Sequence, residues 1–149
     1  MEEFLYVFFG ALFGSTLTFI ASIYLSVRTH QVSHITDYLN DVQLLETAAV
    51  DYWTNSSFED WNAQQERSAI IKGRLSSVSI FIDKAENLLS SRHEAISRLD
   101  EELFYATTDG AFDTREQIPE YDRVAKIMSV CSQLRYELRD YRWRLFWAH

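Results

Sequence analysis

Four glycines, one proline and one cysteine in 149 residues leave little material for tight turns, kinks or cross-links. The lone Cys131 cannot close an intrachain disulfide, which suits a reducing compartment. No run of alternating β-branched residues is long enough to build a sheet, so strands are not expected. Motifs of enzyme chemistry are missing too: no Walker loop, GxGxxG, HExxH, Cys pair or GxSxG occurs, and no Glu-x-x-His of a di-iron bundle. His30 and His34 lie one helical turn apart with Asp37 on a neighbouring face, yet three ligands of suitable geometry are not evident. A non-enzymatic chain without cofactor or metal is expected. Positive charge is also scarce: the net charge is −8, which argues against extended DNA or RNA binding.

What the chain does have is an uncharged run over residues 4–27. As a helix it would reach about 36 Å, enough to cross a hydrocarbon core of about 30 Å with some tilt. Every fourth residue from position 10 is small: Gly10, Gly14, Thr18, Ser22 and Ser26. Lipid tails are as apolar as leucine, so membrane helices associate through close packing, which a GxxxG step permits. Residues 1–28 are therefore read as a transmembrane anchor that self-associates through this stripe, against the plainer reading that small residues are simply common in membrane helices. The Met-Glu-Glu start and the length of the run disfavour a cleavable leader. Glu2 and Glu3 precede the run and Arg28 follows it, so the positive-inside tendency puts the N-terminus outside and residues 29–149 in the cytoplasm, an inner-membrane single-pass topology.

Residues 29–149 suffice for one domain with its own core. Heptad-spaced apolar ladders predict an all-α fold. The first is Ile35, Tyr38, Val42, Leu45, Ala49, Tyr52; the second Ile71, Leu75, Val78, Ile82, Ala85, Leu89. A third, shorter one is Ile96, Leu99, Leu103, Ala106, and the fourth Val124, Ile127, Cys131, Leu134, Leu138, Tyr141, Leu145. Asn55, Ser56 and Ser57 are expected to cap a helix starting near Phe58, with Asp60 in its first turn; Ser91 and Glu94 form a capping box for the third helix, Asp109-Gly110 ends it, and Pro119 suits the first turn of the fourth. Short connections favour an antiparallel bundle of about four helices, the first continuing the membrane span. An acidic far pole is expected from Asp51, Glu59, Asp60, Asp109, Asp113 and Glu116, and a basic near pole from Arg28, Arg92, Arg98, Arg139, Arg142 and Arg144.

Basic residues beside a membrane attract anionic lipid, and Arg139, Arg142, Trp143, Arg144 and Trp147 near the C-terminus combine charge with rings that favour the headgroup zone. The alternative is that the two Trp cover the end of the bundle or an oligomer contact. Ser90, Ser91, Arg92 and His93 place hydroxyls and a cation at an expected helix start, which can hold a phosphate; an ordinary cap with a solvated Arg is the competing reading. Thr114 and Arg115 beside Trp53, Phe58, Trp61 and Phe112 could stack a base, although such aromatics also make core.

A membrane helix with short flanks, bearing the Gly10, Gly14, Thr18, Ser22 stripe, followed by a compact helical domain with the phosphate-compatible Ser91, Arg92 and His93, resembles the small membrane effectors of type III CRISPR defence that bind cyclic tetra-adenylate. The resemblance covers the whole length as architecture and size and transfers no functional residue. It implies a tetramer that senses a cyclic oligonucleotide and perturbs the membrane in antiviral defence. Two other readings stay open: a membrane-tethered adaptor docking a cytosolic protein through Trp53 and Trp61 at the acidic pole, and a holin or toxin that needs no ligand.

Overall fold

The computed structural model describes residues 2–55, 61–115 and 118–147, excepting the side chains of residues 2–5, 87, 146 and 147. The expected cap residues Ser56, Ser57, Phe58 and Asp60, the acidic Glu59 and Glu116, and the Trp147 side chain lie outside the described residues. Among those described, the chain is all-α. Helix α1 (Glu2–Thr54) runs 53 residues without interruption, so the apolar run and the first heptad ladder are one rod of about 80 Å. It is followed by α2 (Trp61–Lys84), a one-turn α3 (Glu86–Leu89), a 3₁₀ turn (Ser90–Arg92), α4 (His93–Thr108) and α5 (Tyr121–Trp147).

Heptad spacing dictates which residues meet. Every member of the first two ladders is buried, as are Ile96, Leu103 and Ala106 of the third and Val124, Ile127, Cys131, Leu134 and Leu138 of the fourth. Leu99, Tyr141 and Leu145 pack against this core while staying partly exposed. Helix α1 touches α2 and α5, and α4 touches the same two, so the four long helices close a ring around one apolar interior. Cross-contacts fix their directions. Along α1, Arg28, Thr36, Glu46 and Trp53 meet Leu145, Arg142, Arg135 and Arg123 of α5 in descending order. Asp41 with Ser77 and Tyr38 with Phe81 orient α1 against α2; Ser79 with Asp100 and Ile82 with His93 orient α2 against α4; Arg92 with Glu137 and Glu102 with Lys126 orient α4 against α5. Each neighbouring pair runs antiparallel.

The punctuation differs from expectation in two places. Helix α5 starts at Tyr121, so Pro119 precedes the helix instead of occupying its first turn. Helix α2 ends at Lys84, so the second ladder, expected on one helix through Leu89, bends at Ala85 and finishes on α3. The end of α4 is as expected, with Asp109 following Thr108 and Gly110 in the left-handed region at φ +69°. A Cβ on Gly110 would lie 2.7 Å from Arg123 Nη2. That guanidinium covers the Trp53 ring at 4.4 Å and donates to the Ala106 carbonyl at 3.2 Å, so the turn needs both the backbone freedom and the small volume of glycine.

None of the window that makes α1 apolar and long enough to cross a membrane is buried by the rest of the chain. A core helix of a soluble domain would bury it. The bundle therefore accounts for the second half of α1 and leaves the first half without a covering element.

One polar group is enclosed between α4 and its neighbours. Asp100 accepts from Ser79 at 3.2 Å, but among the described residues its Oδ1 has no partner, and the fully covered Tyr38 hydroxyl also lacks one. Burial pushes the Asp100 carboxyl up to about 6, Ser79 partly opposing this and Asp83 reinforcing it. The folded state holds this proton more tightly than a free aspartate, whose value is 3.8, so the group's contribution to stability is largest below that value and is lost as pH rises through 6. Asp100→Asn should raise stability at pH 7 by about 2 kcal/mol and remove that share of the variation between pH 4 and 7, as measured by thermal unfolding in detergent beside the parent. Equal pH profiles for the two proteins would show that Asp100 is solvated.

Candidate functional site

The end of the bundle next to the apolar run gathers most of the residues singled out in the sequence. At that end α1 leaves the apolar segment, α5 finishes, and the bend between α2 and α4 turns the chain back. Tyr24 and Arg28 share one face of α1, and Arg28 Nε donates to the Tyr24 hydroxyl at 3.0 Å. Arg28 Nη1 donates to the Leu145 carbonyl at 2.6 Å. The last carbonyls of a helix lack intrahelical donors and carry the negative end of its dipole, so a cation placed there both satisfies and stabilises them. Tyr141 donates to the Leu88 carbonyl, tying α5 to the bend. Arg28 thus clamps the root of the apolar run to α5, and α5 is in turn tied to the bend.

The expected phosphate site at Ser90, Ser91, Arg92 and His93 is not a fresh helix start. Leu89, Ser90 and His93 donate their amides back to Ala85, Glu86 and Ser90, so the bend is a nearly continuous chain of turns. The capping box does not form: Arg92 occupies the N-cap of α4, with helical backbone angles and no side-chain cap. Ser90 takes φ 46°, a conformation natural to glycine, because the chain must change direction there. Arg92 is engaged by two carboxylates of α5, Glu137 and, at 3.2 Å, Asp140. His93 Nε2 lies 3.2 Å from the Ile82 carbonyl. A phosphate arriving here would meet a neutralised cation flanked by two negative groups. The heptad ladder gave no warning, since Glu137 and Asp140 are polar positions whose partners depend on how α4 and α5 pack.

The C-terminal group is placed at this same end. Arg142 donates to Thr36 Oγ1 at 3.3 Å, Arg144 pairs with Asp140 at 3.0 Å, Arg139 is exposed, and Trp143 is 65% exposed. The stripe Gly10, Gly14, Thr18, Ser22 and Ser26 lies on open surface. Thr18 and Ser22 donate at 2.8 Å to the carbonyls four residues earlier, which hides their polarity within the helix. A Cβ on Gly10 or Gly14 would meet nothing within 4 Å, so no contact among the described residues requires their small size.

At the opposite pole the docking role given to Trp53 is corrected. Its side chain is fully buried, and Nε1 donates to the Thr107 carbonyl at 3.1 Å, because the tryptophan closes the end of the core. Phe112 packs on it, and Trp61 lies under the Arg115 guanidinium at 5.4 Å. The acidic residues of this pole are interleaved with cations, Lys72 on Asp113 and Arg123 on Glu120. Hydrogen bonds from Lys72 and Ser68 lower the Asp113 carboxyl below its ordinary value against a smaller opposing effect of burial.

Cys131 is buried in the core, and burial with Glu46 nearby pushes its thiol up to about 12, against a smaller lowering by Arg135. It is protonated at any physiological pH and a poor nucleophile. Glu46 and Arg135 form a largely covered ion pair between α1 and α5 that periodicity did not reveal. No protein-family model, curated protein or solved structure matches this chain.

If Arg92 is a structural clamp, Arg92→Ala should lower the unfolding free energy by about 1 kcal/mol, since it leaves Glu137 and Asp140 without their shared partner. Denaturant titration reads the change. An unaltered midpoint would free Arg92 for a ligand.

Proposed function

We propose that the chain is a membrane-anchored, self-associating, non-enzymatic effector, with its N-terminus outside and residues 29–149 in the cytoplasm, in which the helical domain controls how the membrane segments pack. The observation that carries this reading is the unbroken α1, half uncovered and apolar, half built into the core. A flexible linker would let the two halves turn independently. A continuous helix, clamped at Arg28 by α5, does not, so a rearrangement of the bundles in an oligomer must rotate or tilt the apolar segments with them.

Self-association is supported by the two glycines, whose smallness answers no need within the chain. The orientation is supported by Glu2 and Glu3 before the run and Arg28 after it. The exposed Trp143 and the arginines at the same end suit a headgroup layer. A cyclic oligoadenylate as the trigger rests on the resemblance in architecture alone, and the engaged Arg92 directs the search for its site away from residues 90–93. Whatever the trigger, it must bind one assembly better than another, and a tenfold shift needs about 1.4 kcal/mol of difference.

Gly10→Leu with Gly14→Leu should abolish crosslinked oligomers in membranes while leaving helical circular dichroism unchanged. Persistent oligomers would remove the stripe from the assembly face. One alanine inserted between Val27 and Arg28 turns the bundle by about 100° relative to the segment, whereas seven restore the phase to within about 20°. Membrane permeabilisation on expression should be lost with one and kept with seven. Equal permeabilisation by both would mean that the halves act independently, as a ligand-free holin could.

A further inference from the structure

The groove between α1 and α2 has a composition that neither the core nor the clamp at the root of the apolar run explains. A cavity of about 630 Å³ opens there, lined by Gln31, His34, Asp41, Ser77, Ile80, Phe81, Lys84, Ala85 and Leu88. Its floor is apolar: Phe81 is stacked on Tyr38 with ring centres 4.4 Å apart, Ala85 is buried, and Ile80 remains 49% exposed. At the upper end Asp41 is held by Ser77 at 3.0 Å and faces Arg74 at 4.0 Å. At the lower end Gln31, His34 and Lys84 have no hydrogen-bond or ion-pair partner among the described residues. An ammonium, an imidazole and a carboxamide thus converge on an apolar hollow whose one carboxylate, Asp41, is engaged by Ser77 and Arg74 at the upper end, and the size is ordinary for a ligand site.

Helical geometry says what lies beneath. Ile20, Ile23, Val27, Gln31 and His34 follow one another by three or four residues and share a face of α1. Ile20, Ile23 and Val27 are 58%, 49% and 51% exposed, a bulky apolar track leading straight to the polar mouth. Gln31 stands about 6 Å beyond Val27, within the depth of a headgroup layer, and His34 about 10 Å beyond, just past its outer edge. The small stripe is turned about 100° away at Ser22, so association through it leaves the groove open.

We infer that this groove binds one anionic phospholipid of the bilayer, its phosphate held by Lys84 and His34 and its chains lying along Val27, Ile23 and Ile20. The assignment rests on the membrane reading above and adds a lipid class and a site to it. Charge complementarity selects the anionic class, because a zwitterionic headgroup brings its own cation to the ammonium. It selects a lipid because the apolar track continues the groove. Binding would brace α2 against the root of α1, at the junction where bundle movements pass into the apolar segment.

The test uses the full chain reconstituted in phosphatidylcholine vesicles with one-fifth phosphatidylglycerol. Alkaline carbonate extraction comes first, and release of the protein would overturn the membrane reading and the lipid site together. With the protein retained, native mass spectrometry should find phosphatidylglycerol bound in preference to phosphatidylcholine. Lys84→Glu should cut that retention at least fivefold, Lys84→Arg should keep it, and Lys126→Glu, half-exposed on α5 beside Glu102 and away from the groove, should leave it within twofold. Equal retention of the two lipids, or equal losses in Lys84→Glu and Lys126→Glu, would overturn the site while leaving the anchor intact. Displacement of the lipid by millimolar glycerol phosphate would also overturn it, since the groove would then read phosphate alone.

Discussion

The continuity of α1 is the constraint on which the rest depends. A helix satisfies its own backbone hydrogen bonds, so it can leave a packed core and continue into an apolar solvent without exposing a peptide group. A loop at position 28 would favour glycine or proline, and residues 15–72 contain neither. The same rod supplies one wall of the core through Ile35 to Trp53. The bundle is thus built around an element whose other half it does not cover, and the two halves share one rotational phase.

Polar contacts at the two ends do different work. At the far pole Trp53, Tyr52 and Phe112 close the core, and their polar atoms find partners across the turn: Trp53 donates to Thr107, and Asp113 donates its amide to Tyr52. At the near pole Arg28, Arg92 and Tyr141 join the ends of α1, α5 and the bend. Between them Glu46 with Arg135 holds α1 to α5, while Asp100 sits between α4 and α2 with one oxygen unpartnered among the described residues. A paired buried charge resists being pulled apart, and an unpaired one favours any change that hydrates or protonates it.

Much of the fold was legible because an apolar side chain has few alternatives to burial. The spacing of Ile35, Tyr38, Val42 and Leu45, and of Val124, Ile127, Cys131 and Leu134, allows only helices with a seam, and those seams did meet. Less was legible where a residue had choices. Ser91 and Glu94 fit a capping box, but the bend at Ala85 and the left-handed Ser90 placed Ser91 inside a 3₁₀ turn. Trp53 fits either a docking ring at an acidic pole or a core aromatic, and it faces the core beside Tyr52, filling its end. The groove at Gln31, His34 and Lys84 left no trace in either helix alone, because it exists only between them.

The sequence by itself determined the all-α class, the positions of the seams, the uncharged run and the places where Gly110 and Asp109 stop a helix. These follow from periodicity and backbone chemistry, which act within a few residues. The tertiary structure alone decided that Arg92 faces two carboxylates, that Arg28 caps α5, and that Lys84 shares a hollow with Gln31 and His34. A charged side chain takes its role from whatever residue lies opposite, and that residue is set by the mutual rotation and register of two helices distant in the chain.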